Sequence, residues 1–142
     1  NTGRSWTTFD QFLVTADGSR VINNNYRWSS AYNINLTGGG GGLYFGGPNA
    51  VAAYGGPVPL YTPWPWEWGS SVTHLDDDSF TGPDTMLMNA VTDTGLGVRV
   101  LSPVELAILK DLGYTVFEPG PLQALVLIGF GFLRRRAQRP VS

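Results

Sequence analysis

Cysteine is absent from this chain, and histidine occurs once, at His74. Without thiols there is no disulfide framework and no thiolate metal site. A lone imidazole does not make a catalytic zinc centre, which takes three protein ligands and keeps a fourth position for water. Charge is scarce too, with 14% Asp, Glu, Lys and Arg against roughly 25% in an average globular domain. The nine basic residues are unevenly placed: Arg134, Arg135, Arg136 and Arg139 fall in the last nine positions. The rest of the chain holds five basic and eleven acidic residues, a net charge of −6. An acidic body offers no electrostatic footprint for nucleic acid, which is excluded as a partner. Long apolar runs are also lacking. Residues 122–133 are nearly all apolar, but they fall short of the roughly 20 residues that span a bilayer.

What is present in excess is glycine and proline. The nineteen glycines and ten prolines make about a fifth of the 142 residues, against a usual share of roughly 12%. Much of the chain is therefore loop, while 13% aromatic residues argue against disorder driven by charge and low hydrophobicity. Such a composition predicts a chain that packs irregularly.

Trp6-Thr7-Thr8-Phe9-Asp10-Gln11-Phe12-Leu13-Val14 reads as a short strand or hairpin arm, and Asp17-Gly18 after it as a turn. Asn23-Asn24-Asn25 suits backbone conformations that most residues avoid. The five glycines at 38–42 lack the spacing, the Lys or acidic partner and the following helix of a phosphate loop. We read them as a flexible connector. Pro48-Asn49-Ala50-Val51-Ala52-Ala53-Tyr54, stopped by Gly55-Gly56, is a short helix. Pro57-Val58-Pro59-Leu60-Tyr61-Thr62-Pro63-Trp64-Pro65-Trp66-Glu67-Trp68 alternates proline with aromatics and is extended. Buried, its tryptophans strap a core, the reading we favour; exposed, they form a platform for glycans or proline-rich ligands.

The plainest regular element is a helix over residues 103–112. Ser102 is its N-cap, Pro103 fits the first helical position, Glu105 completes an S-x-x-E capping box and Gly113 supplies a left-handed stop. Leu106, Leu109 and Gly113 mark one side, with Ile108 and Leu112 widening the apolar face. Its role is packing. Three consecutive aspartates, Asp76, Asp77 and Asp78, could orient a metal ligand or bind calcium, but such a triplet reads first as a solvated turn.

The C-terminal layout is tripartite: Glu118-Pro119-Gly120, an apolar run, and Arg134-Arg135-Arg136. It resembles a PEP-CTERM sorting signal, with Phe117 standing where the usual first proline would be. The resemblance implies export in a Gram-negative bacterium to the cell envelope or beyond, and a membrane as transient partner through this segment before processing. Basic residues after the apolar run would place the C-terminus on the cytoplasmic side on insertion. The expected division is a body over residues 1–116 and a sorting segment over 117–142.

A wider resemblance covers residues 9–114. Phe9-Asp10-Gln11-Phe12-Leu13, Phe45-Gly46-Gly47-Pro48-Asn49-Ala50, Leu60-Tyr61-Thr62-Pro63, Gly69-Ser70-Ser71-Val72-Thr73-His74-Leu75-Asp76, Leu87-Met88 and Leu106-Ala107-Ile108-Leu109-Lys110-Asp111-Leu112-Gly113-Tyr114 stand in this order. The series resembles the C-terminal part of secreted bacterial metzincin-like zinc proteases, of which leishmanolysin is the better-known relative. In that group an HExxH helix gives two zinc ligands and the general base, a long insertion leads to a third ligand histidine, and a Met-turn follows. The resemblance implies that His74 is the third zinc ligand and that Met88, fourteen residues on, is the Met-turn residue. Ala90 replaces the family's usual proline, and no HExxH occurs in the chain.

Three expectations follow. The fold is an α+β, irregular, loop-rich C-terminal lobe with short strands, one firm helix and a C-terminal hydrophobic helix. The chain begins at Asn1 inside what already reads as structured sequence, so a segment bearing HExxH is expected to precede it in the natural protein. The chain is then a fragment of a secreted zinc-dependent endopeptidase acting on protein or peptide, inactive alone. The alternative is a noncatalytic cell-envelope module that binds glycan through Trp64, Trp66 and Trp68.

Overall fold

A computed structural model describes residues 5–91 and 97–116. The fold mixes helices with a small antiparallel sheet. Its three strands, each two residues long, are β1 (Leu13–Val14), β2 (Tyr44–Phe45) and β3 (Val58–Pro59), in the order β1-β2-β3. Leu13 pairs with Phe45 and Val14 with Tyr44; on the other edge Tyr44 pairs with Pro59 and Phe45 with Val58. So short a ladder has little stability of its own, and packing has to hold it. Single bridges extend it, joining Leu60 to Leu75 and Leu75 to Asn89.

Phe45 is the pivot of the core. Its ring is fully buried and lies 5.0 Å from that of Phe9 and 5.2 Å from that of Phe12. These contacts explain why the predicted arm over residues 6–14 is mostly not a strand. The Asp10 carboxylate accepts the backbone N–H and hydroxyl of Thr7, and the Phe12 N–H closes on the Phe9 carbonyl. The resulting 3₁₀ turn, Asp10–Phe12, turns both phenylalanines onto Phe45, and strand pairing begins only at Leu13.

Helix α1 (Pro48–Tyr54) begins and stops where proline and Gly55 predict. Helix α2 (Pro103–Asp111) carries the predicted capping box: Ser102 Oγ accepts the Glu105 N–H, and the Glu105 carboxylate accepts the Ser102 N–H. Leu112 is its C-cap, and Gly113 has φ +91°. The buried stripe differs from the expected one. Val104, Ala107 and Ile108 are buried, whereas Leu106 and Leu109 are half-buried, because α2 turns this i, i+3, i+4 face toward the core.

Two further expectations change. The glycines at 38–42 wrap the buried Asn35 side chain, whose amide donates to the carbonyls of Gly40 and Gly42. Four of them have positive φ, and a β-carbon on Gly42 would run into the Thr62 hydroxyl; the run is a shaped wrap, not a simple connector. The tryptophan strap is also not buried, since Trp64 is 82% and Trp68 93% exposed. The proline-interrupted backbone carries those rings along the surface, while Leu60 and Val58 supply the core from the same segment.

The sorting segment, with Glu118, Pro119, Gly120, residues 122–133 and Arg134 to Arg136, lies outside the described residues. Among the described residues no helix is long and apolar enough to cross a membrane.

Candidate functional site

His74 follows a tight loop. The N–H groups of Ser70 and Ser71 both close on the Glu67 carbonyl, Thr73 N–H closes on Ser70, and Gly69 takes φ +88°. Tyr61 holds the loop from below, its N–H donating to the His74 carbonyl at 3.0 Å and its own carbonyl accepting the Val72 N–H at 2.7 Å. Val72 is driven to φ +67°, a conformation a β-branched residue adopts at a cost of about 1–3 kcal/mol.

The half-buried imidazole is oriented by this loop. Its Nδ1 lies 3.2 Å from the Ser70 carbonyl and 3.1 Å from Thr73 Oγ1. A carbonyl only accepts, so the contact with Ser70 assigns the ring proton to Nδ1 and leaves the Nε2 lone pair for another partner. Backbone carbonyls hold metal-binding histidines in this way.

The turn that holds Met88 meets the same loop through the backbone. Leu75 N–H donates to the Met88 carbonyl at 2.9 Å, and Leu75 pairs with Asn89 in a parallel bridge. The Met88 N–H in turn donates to Glu105 Oε1 at 2.7 Å. Glu105, fully buried, thus both caps α2 and clamps the turn that runs beside His74. Its capping role was legible in the S-x-x-E pattern; the second bond, spanning seventeen positions, had no local signal. Asn89 is 5% exposed and donates to the Phe80 carbonyl, and its Oδ1 accepts from no described residue.

Two of the three aspartates bond to backbone or hydroxyl groups nearby in the fold. Asp76 accepts the Ser79 N–H and hydroxyl, and Asp77 accepts the Val91 N–H. Among the described residues no group of three or more His, Cys, Asp or Glu side chains converges on a point that could hold a metal ion. By themselves the described residues therefore do not fit a zinc ion: the donor set is a single imidazole.

A cavity of about 740 Å³ opens against the same loop, with Ser71, Val72 and Thr73 on one wall. Trp6, Tyr26, Trp28 and Trp66 also face it; His74 is not among its lining residues. Tyr26, at φ +56°, and Val72 are the two non-glycine residues with left-handed φ among those described, and both line this cavity. The asparagine run beside it does not itself adopt that conformation. Asn23 Oδ1 instead accepts the N–H groups of Asn25 and Arg27, closing a turn that passes the strain to Tyr26.

No family model matches the chain, and neither does any curated protein or solved structure compared with it.

Proposed function

We propose that this chain is the C-terminal lobe of a secreted, metzincin-like zinc endopeptidase, with His74 as the third zinc ligand and Met88 as the Met-turn residue. The observation that supports the reading most is the backbone junction of the two motifs: Leu75, next to His74, bonds to the Met88 carbonyl and pairs with Asn89. The resemblance requires a turn of this kind to run beside the ligand histidine, and two segments fourteen residues apart need not have met. The Nδ1 contact with Ser70 adds to it, since it frees Nε2. In this reading the other two ligands and the general base come from a segment encoded ahead of Asn1, and the chain alone hydrolyses nothing. The substrate is protein or peptide, and the segment over 117–142 serves export and transient anchoring in a Gram-negative envelope.

The test is the coding DNA upstream of Asn1, followed by expression of the extended protein. An in-frame His-Glu-x-x-His is expected, with one zinc per chain by elemental analysis, lost in the His74→Ala variant. An upstream start codon and export leader without that motif overturns the reading.

One observation favours the second reading, a noncatalytic envelope module. Trp64 and Trp68 stand almost fully in solvent, which an interaction surface would require. The Trp66 and Trp68 rings, however, meet edge-on at 83°, so they do not form the flat platform on which a sugar chain lies.

A further inference from the structure

We infer that the cavity between residues 26–28 and the loop over 71–73 is a binding site for a neutral saccharide. Its volume, about 740 Å³, lies within the range of small-ligand sites. Its indoles are held in place. Trp6 Nε1 donates to the Tyr26 carbonyl at 2.6 Å, and Trp28 Nε1 donates to Asn33 Oδ1 at 2.7 Å, so each ring is anchored at its polar edge.

The polar groups around those rings decide the ligand. Indole Nε1 only donates, so Asn33 must turn its oxygen to Trp28, and its amide nitrogen is left with no bond to a described residue. Asp10 uses Oδ2 for both bonds from Thr7, which leaves Oδ1 as an acceptor. Arg27 is exposed and lines the cavity; its backbone bonds to Asn23, while its guanidinium makes no hydrogen bond or ion pair to a described residue. Asp10 and Arg27 carry opposite charges, so for a ligand of either sign the attraction of one is offset by the repulsion of the other, and the site gives no net preference for charge. What suits one acid, one base, one amide and several aromatic rings is an uncharged ligand with apolar C–H faces and hydroxyls on its rim, which is the chemistry of a sugar ring. The paired left-handed residues, Tyr26 and Val72, mark the same cavity, as strain marks binding sites generally.

This inference does not depend on the zinc reading of His74, and it places sugar recognition away from the exposed Trp64 and Trp68. The experiment is NMR of the five tryptophan indole N–H groups in the full chain, titrated with cellohexaose, chitohexaose, laminarihexaose and mannohexaose. At least one sugar is expected to shift the Trp6 and Trp28 signals saturably while leaving those of Trp64 and Trp68 in place. Calorimetry should show binding about tenfold weaker in Arg27→Ala, a surface change that spares the core, and weaker again in Trp28→Ala. Binding in His74→Ala should equal that of the unchanged chain, which separates this test from that of the peptidase reading. No saturable shift with any sugar, shifts confined to Trp64 and Trp68, or tighter binding of tetramethylammonium or a proline-rich peptide at Trp6 and Trp28 would each overturn it.

Discussion

Among single residues, Glu105 carries the most consequence. It is wholly buried and accepts two backbone N–H groups, from Ser102 within its own helix and from Met88 across the fold. Removing a buried acceptor costs the desolvation of every donor left behind, about 1–3 kcal/mol each. Glu105→Ala is therefore expected to lower unfolding free energy by about 3 kcal/mol, read as a fall in denaturation midpoint at constant slope. Glu105→Gln keeps a carbonyl oxygen for one of the two N–H groups and should lose roughly half as much. Equal stability of Glu105→Ala and the unchanged chain would show that the Met88 clamp contributes nothing. Asp17 shows the same principle at the surface. Its carboxylate accepts the Thr15 hydroxyl, then the Ser19 N–H and hydroxyl, and these bonds hold its pKa below the ordinary 3.8.

Between elements, the decisive contact is the capping of α1 by α2. Helix α1 has Gly47 at its N-cap and so has no capping side chain of its own. Asp111, the last residue of α2, supplies one from sixty-two positions away: Oδ1 accepts Asn49 N–H at 3.0 Å and Oδ2 accepts Ala50 N–H at 2.9 Å. The negative charge also suits the positive end of the helix. Gly47 has to be glycine because a β-carbon there would overlap both the Asp111 carboxylate and the Phe45 ring. Asp111→Ala should cost about 1–2 kcal/mol, as loss of a helix cap does. Asn49→Ala, which removes only a side-chain donor at an exposed position, should cost about 0.5 kcal/mol. In a double-mutant cycle by chemical denaturation the two effects are expected to be non-additive; strict additivity would mean that the Asp111 carboxylate and the Asn49 amide do not act on each other.

At the scale of the molecule, the three two-residue strands and two short α-helices among the described residues cohere because their apolar residues form one cluster around Phe45, including Ile22, Leu60, Leu75 and Ile108. Hydrogen exchange checks this. The amides of Leu60 and Leu75, bonded to Leu43 and Met88 in the buried centre, should open only with global unfolding, and those of the exposed Asp84 and half-buried Thr85, in a surface turn, by local opening. An amide of Leu75 as labile as that of Thr85 would detach the His74 segment from the core.

Both helices and the Asp17-Gly18 turn were legible in the sequence because caps, first-turn prolines and terminal glycines act within a few residues of the backbone groups they satisfy. The sequence also singled out His74 and Met88, whose neighbourhoods meet through the backbone of Leu75. What only the tertiary structure decided are the long-range partners: Asp111 on α1, Glu105 on Met88, Leu75 between Leu60 and Asn89, and the cavity that gathers Trp6, Trp28 and Trp66. Proline and glycine leave a loop-rich chain few periodic patterns to read, so which side chains meet is set by how the apolar cluster closes around Phe45.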